Sequence, residues 1–491
     1  MRAGHAIAVF VVVVTLAALL WPSRGTLSPR PTVRIAVWGM PFEDRLFRDR
    51  YAKRYQELRL ELFIDYERYH DELLMKYNAW HTRGRGAEVM RLRVTDYHGM
   101  VGRGMLEPLS KWINDPEIGL SKAQKEAIPP QLLAALTIDA EVYALPQDNA
   151  QFGMFINREI FRGHNAEHPK DAIEIPGPDH DWTWSDLRAA AKKLTRRDAS
   201  GRVTQRGLDF TVWSWPFINF FKQAGGELWS PDALTCTIDS DAGVEALAFM
   251  RALQRDDKSF DPNLAGYLSA TGPDVLFAAG QTAIFFDGSW RIPNIEKVNP
   301  GLDFSVVHLP RGRVPAVVSG CVCWGISSKA ANKREAWRML SWLTDEPQAA
   351  EYWDTLRVAP PANLAVINSP AFRSARGIEK VFGPSDAVPT NVPDRYEVLP
   401  MSEAMFADRA QWLLYANTPH ALTGRPPGFV PVNLYETEME EEVTRMLNEY
   451  LREGSTLSER EALTRVTRNI HRLIDRDRKA KGLPPARRSE P

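Results

Sequence analysis

Phe277-Ala-Ala-Gly-Gln-Thr-Ala-Ile-Phe-Phe-Asp-Gly-Ser-Trp290 holds a helix end, a strand and a turn in one short segment. Gly280 is a natural helix stop, because a residue without a Cβ tolerates the left-handed backbone that closes a helix. Residues 282–286 are apolar and β-prone, which predicts a buried strand. Asp287, Gly288 and Ser289 are turn formers, so Trp290 is expected just past the carboxyl end of that strand. In open α/β sheets, ligands bind in the crevice outside those strand ends. A tryptophan buried behind a helix, strand and turn is the plainer reading of the same residues.

Outward from this segment the chain alternates strands and helices. Residues 33–38 read as a strand, 43–58 as a helix with Phe47, Tyr51, Tyr55 and Leu58 at helical spacing, and 60–64 as a second strand. Residues 89–94 read as a third strand leading into Thr95, Asp96 and Tyr97. Such alternation predicts a parallel sheet with crossover helices, an α/β fold. Thr183 and Asp186 are spaced as a capping box before the apolar stripe Leu187, Ala190, Ala191 and Leu194, and Ser458 with Glu461 repeats the pattern. Residues 196–206 read as a polar hairpin or loop. Residues 240–253, 332–343, 436–451 and 458–474 read as amphipathic helices.

Several segments, in order, resemble the extracellular solute-binding proteins, the sugar-binding family that includes maltose-binding protein. The 277–290 segment resembles its "F-x-x-G-x-x-A-M-x-x-x-G-x-W" signature. Gly104-Met-Leu-Glu-Pro-Leu109 resembles "G-x-L-x-P-L", Tyr143-Ala-Leu-Pro146 "Y-G-L-P", Phe155-Ile-Asn-Arg158 "Y-Y-N-K", and Thr183-Trp-Ser-Asp-Leu187 "T-W-x-E-L". Residues 317–327 resemble "G-G-x-x-x-G-I-S" around Gly320 and Gly325, and 332–343 resemble the family's "N-K-x-x-A-W" helix. Ile156 departs from the aromatic that commonly precedes the asparagine, so one sugar-stacking platform is missing. The likeness covers roughly residues 33–361.

The resemblance implies a two-lobed periplasmic-binding-protein (type II) fold with several hinge crossings. By analogy, 33–145 and 306–343 form lobe 1, and 146–305 and 344–475 form lobe 2. Residues 1–25 are a signal peptide or N-terminal anchor, 26–32 a linker, and 476–491 a basic mobile tail. The anchor reading rests on the apolar run 6–21, preceded by Arg2 and His5, near the upper limit for a signal-peptide core and short for a spanning helix. Cleavage and release is the first expectation, an uncleaved inner-membrane anchor the alternative. No other segment has 18 consecutive apolar residues.

A net charge of −1, from 61 basic and 62 acidic residues, argues against a general polyanion binder, nucleic acid included, and leaves a local basic patch open. Cys236, Cys321 and Cys323 form no disulfide framework. Cys321 and Cys323 lie two apart, on one face of a strand, and read as small buried residues, not a metal or redox pair. No H-E-x-x-H, G-x-S-x-G or P-loop motif occurs. A glycosidase needs only two carboxylates far apart in sequence, and the resemblance speaks against one.

A sugar site needs an aromatic plane for C–H faces and polar side chains for hydroxyls. The aromatic candidates are Trp290 first, then Trp213, Trp215, Trp38 and Tyr97, with Trp324 beside Gly320 in the family's glycine segment. The polar candidates are Asp287, Asp96, Asp65, Gln147 and Asn149, with Arg357 for an acidic sugar. Each has a core, capping or ion-pair reading beside the ligand one. The implied function is capture of a carbohydrate between two lobes, in the periplasm or another extracytoplasmic space, and delivery to ABC permease subunits. It implies no cofactor, no metal, no catalysis and a monomer. The alternatives are a polyol, glycerophosphodiester or oligopeptide ligand, or a membrane-tethered sensor or scaffold with the same fold.

Overall fold

Strict alternation along the first strand builds the first sheet. Val33, Ile35 and Val37 enter one core with Val89, Trp324 and Ile326, while Ala36 enters another with Met90, Leu92 and Cys323. Successive side chains of a strand point to opposite faces, and a parallel sheet is covered on both. The computed structural model describes residues 30–39, 43–44, 46–67, 69–176, 180–262, 272–356, 358–369, 430, 432–486 and 488. The first sheet runs Glu61–Glu67, Thr32–Trp38, Val89–Arg93, Val322–Ile326, Ala144–Pro146. Thr32–Trp38 is parallel to both neighbours, and Val322–Ile326 is antiparallel to both of its own. The helix expected over 43–58 enters through a π-helical turn, Leu46–Tyr51, before Ala52–Glu57, and buries Phe47, Tyr51 and Tyr55.

The second sheet runs Phe304–Val307, Ala150–Asn157, Thr282–Gly288, Val203–Phe210, Arg196–Arg197, with Ser319–Gly320 also paired to Ala150–Asn157. Met154, Ile156, Leu208, Phe210, Ile284 and Phe286 face one core, and Phe155 and Phe285 the other. Every position of Thr282–Gly288 is buried. The strand runs two residues further than its composition suggests, because Asp287 and Gly288 still pair with Gly153 and Phe152. The turn begins at Ser289–Arg291 instead. Gly280, at φ 71°, follows the end of the helix Pro273–Ala278, as its lack of a Cβ allows.

The chain passes between sheets at 147–149 and again at 321, with 358–361 beside them. Gln147 donates its backbone N–H to Val322 at 2.8 Å, Asn149 donates to Pro360 at 2.8 Å, and Val322 donates to the Asp148 carboxylate at 2.9 Å. These crossings give the α/β, two-lobed architecture. Phe304–Val307 pairs with Ala150–Asn157, so the chain rejoins the first sheet only at Val322, not at 306. The Thr183–Asp186 capping box forms, Ser458 accepts from the Glu461 N–H, and 196–206 makes the expected hairpin. All three cysteines are buried and free.

The helices Glu436–Tyr450 and Glu459–Ala480 join the second lobe's core through Met439, Val443, Leu447, Leu463, Val466 and Ile470. The tail expected to be mobile from 476 starts inside a helix that continues to Ala480. Arg488 then folds back on Asp475 at 2.8 Å, and the Ala486 N–H donates to the same carboxylate at 3.1 Å. The sequence alone gave no sign that Asp475 would hold the returning chain.

Candidate functional site

The strand Thr282–Gly288 delivers Trp290 to its tip. The indole lies directly on Gly288, where a Cβ would fall 2.1 Å from the ring. Opposite Gly288 in the ladder is Phe152, whose ring centroid is 6.0 Å from that of Trp290. Trp215 meets Trp290 edge-on at 6.2 Å and stacks on Trp213 at 5.1 Å and 15°. Offset and edge-on geometries are those the ring quadrupoles favour. Phe152 and Trp215 are buried, while Trp213 and Trp290 remain partly exposed. The second lobe thus carries an aromatic wall with two partly open indoles.

Trp215 is fixed at its polar edge. It opens the helix Ser214–Gln223 and donates its indole N–H to Glu440 at 2.7 Å. Gly320 makes room for it: a Cβ there would lie 2.8 Å from the Trp215 ring and 3.7 Å from Val94 of the first lobe. On the first lobe, Trp38 stands at a strand end with His70 edge-on at 4.8 Å and the Arg91 guanidinium 4.8 Å from its ring centre. Nearby Asp96, in the first turn of Val94–Gly102, accepts from Arg93 Nε at 2.9 Å and lies 2.8 Å from His70 Nε2. Burial alone would raise the Asp96 carboxyl, but Arg93 and His70 outweigh it and hold it well below the usual carboxylate range.

The helix Glu436–Tyr450 touches both lobes. Thr437 donates to Asp96 at 3.0 Å, Glu440 holds Trp215, and Glu436 accepts from the Trp229 indole at 2.8 Å. Burial pushes Glu440 up to about 7 against the pull of Arg93 and the Trp215 N–H. Burial, reinforced by Glu440, pushes Glu436 up to about 8 against the Trp229 N–H. Among the described residues no three His, Cys, Asp or Glu are grouped to hold a metal ion, and no helix is long and apolar enough to cross a membrane.

The family model for bacterial extracellular solute-binding proteins matches residues 78–350, more than half of the chain. The chain belongs to this family. No curated protein matches the sequence. Several solved structures share the fold at low identity. An ABC substrate-binding protein from Listeria monocytogenes in complex with cycloalternan superposes with a TM-score of 0.68 at 18% identity, covering 92% of this chain and 100% of that one. The GacH receptor of Streptomyces glaucescens, solved unliganded and with acarbose, gives 0.69 at 16%, covering 91% and 99%. A maltose/maltodextrin-binding domain from Bdellovibrio bacteriovorus bound to maltotriose gives 0.67 at 16%, covering 90% and 99%.

In this solute-binding protein the candidate residues divide. Trp290, Trp213 and Trp215 come together, and Trp38 stands on the other lobe. Asp287 is buried and already accepts from Arg291 Nε at 2.7 Å and from the Gly288 N–H at 2.8 Å. Burial raises its carboxyl, with Arg291 opposing. Asp96 is spent on Arg93, His70 and Thr437 in the same way. Asp65 pairs with Arg34 at 3.4 Å. Gln147 and Asn149 are buried in the first crossing. Gly320 is a spacer, as described. Arg357 lies outside the described residues.

Two expectations are corrected. Tyr97 is fully buried in the first lobe, with its hydroxyl donating to Leu136 O at 2.5 Å and accepting from the Tyr143 N–H at 3.1 Å. The chain turns helical at Val94, which swings Tyr97 inward. Trp324 is buried at 1% exposure, edge-on to Phe47 at 5.9 Å, because its strand is covered on both faces. Phe152, His70, Arg93 and Glu440 were not singled out from the sequence. Only Glu440 left a trace there, falling on the same helical stripe as Val443 and Leu447.

Proposed function

We propose that this chain captures a carbohydrate outside the cytoplasm, between its two lobes, and presents it to an ABC importer. The observation that carries the reading is the wall of Trp213, Trp215, Phe152 and Trp290 at the strand tips beside the crossings, with Trp213 and Trp290 partly open. Aromatic faces of this kind suit the C–H faces of sugars. The solved relatives above are bound to cycloalternan, acarbose and maltotriose, which supports the same class of ligand here. Residues 33–146 with 322–343 make up lobe 1, and 150–320 with the C-terminal helices make up lobe 2. Trp290 and Trp213 are the stacking residues, Trp38 is the first lobe's aromatic contribution, and Gln147 supplies a polar group at the crossing. Its buried Oε1 has no hydrogen-bond partner, and a sugar hydroxyl would satisfy it. Ligand touching both lobes favours the closed state over the open one. The segment 6–21 directs export.

The test is a thermal-shift screen over neutral oligosaccharides, monosaccharides and polyols. A ligand at 100 times its Kd adds about 2.7 kcal/mol of apparent stability. Trp290→Ala is expected to abolish the shift while the protein stays folded. Undiminished binding by that variant refutes the assignment of Trp290.

A further inference from the structure

The helix Glu459–Ala480 packs one face into the second lobe through Leu463, Val466, Ile470 and Ile474. Arg468, Arg472, Arg476 and Lys479 are all exposed, and at 3.6 residues per turn they fall within roughly an 80° arc of the outer surface. Neighbouring cations are neutralised: Arg465 pairs with Glu449 at 2.9 Å, Lys481 with Asp477 at 3.0 Å and Arg488 with Asp475 at 2.8 Å. The side chains of the four stripe residues have no hydrogen bond or ion pair with any described residue. The segregation is also visible in the whole chain. Residues 465–491 hold nine basic and three acidic residues, while the protein's net charge is −1. The remainder of the molecule therefore carries a net negative charge, and the excess positive charge sits in the end of this helix and the segment that follows it.

From this unneutralised stripe we infer a docking surface for an anionic membrane: the four cations rest on lipid phosphates while the second lobe's core holds the helix from behind. A protein partner would call for a buried aromatic or aliphatic anchor at the centre of its contact. The outer face here offers only charge, with Leu483 as the nearest exposed large apolar side chain. A diffuse anionic surface needs no such anchor, because basic residues near it bind by electrostatic attraction alone. Its range is about one Debye length, ~8 Å at physiological ionic strength, which fits side chains that project freely. The stripe spans 11 residues, on the order of 16 Å along the helix axis, enough to meet several headgroups at once. The surface lies on the C-terminal helix and uses no residue of the aromatic wall, so the lipid contact does not depend on the sugar reading.

The experiment is flotation of the full chain with vesicles of phosphatidylcholine alone and vesicles containing 30 mol% phosphatidylglycerol (roughly; the proportion sets surface charge). Phosphatidylcholine binding reports whatever the apolar segment 6–21 contributes. The increment on anionic vesicles reports the stripe. Each neutralised charge is expected to reduce that increment about fivefold, so Arg472→Gln with Arg476→Gln reduces it about 25-fold and the four-residue variant removes it. Raising salt to ~1 M shortens the Debye length to about 3 Å and abolishes the increment. An unaltered melting temperature shows that the variants are folded. Equal binding to both vesicle types, or an increment that survives in the four-residue variant, overturns the proposal. Recruitment only to vesicles carrying an acidic membrane protein also overturns it, in favour of a protein partner.

Discussion

Gly288→Ala moves the key indole without removing it. The added methyl would sit 2.1 Å from the Trp290 ring, whereas carbon atoms in contact stand about 3.5–4.0 Å apart. Gly288 has φ −92°, which alanine adopts freely, and the strand stays paired to Phe152. Relief therefore comes from the ring, which must shift by roughly 1.5 Å. Overpacking of this kind costs about 1–3 kcal/mol of stability. A central aromatic hot spot contributes at least about 2 kcal/mol to binding, and a platform displaced by this much loses most of it. The expected result is a Kd at least tenfold weaker, about 1.4 kcal/mol, by titration calorimetry with the sugar found in the screen. The melting temperature falls modestly. A variant that binds with the parent's Kd would mean that the ring does not touch ligand, and the reasoning from Gly288 would fail.

Three other outcomes are expected. Glu440 and Glu436 have carboxyls raised by burial to about 7 and about 8, so the folded state holds protons that the unfolded chain releases from about pH 4.5 upward. Their contribution is present in full below that pH and is lost as pH rises through 7 to 8. Glu440→Gln should remove on the order of 3 kcal/mol of that slope, read as denaturant midpoints from pH 5 to 8, and an unchanged slope would refute its titration. Trp215→Phe leaves the buried Glu440 without its indole donor and should cost about 1–3 kcal/mol of stability, measured by urea unfolding. Asp96→Asn strands Arg93 and His70 and should cost roughly 3 kcal/mol with little effect on sugar affinity; a selective loss of affinity would place Asp96 in the binding site after all.

Local pattern made much of this molecule legible. The β-prone run at 282–286, the left-handed glycine at 280 and the capping pair Thr183–Asp186 all act within a few residues, and each formed. The roles of the acids did not come through, because their partners lie elsewhere. Asp96 meets Arg93 three residues away, but also His70 and Thr437, and the last comes from the far end of the chain. Trp324 and Trp290 both follow short apolar runs. One belongs to a strand covered on both faces and the other to a turn beyond a strand tip, a difference set by which strands become neighbours. Phe152 carries no local signal of its own; its role comes from the register that places it opposite Gly288.

The Glu436 helix turns a pair of hinged halves into a braced pair. Through Thr437 it grips one half and through Glu440 the other, so it cannot ride rigidly with both when the angle between them changes. A change of that angle would cost either the contacts of Thr437 with Asp96 and Thr95 and of Glu438 with Arg103, or those of Glu440 with Trp215 and Glu436 with Trp229. Any swing of the two halves is thereby yoked to one set of side-chain contacts, all carried on a single helix.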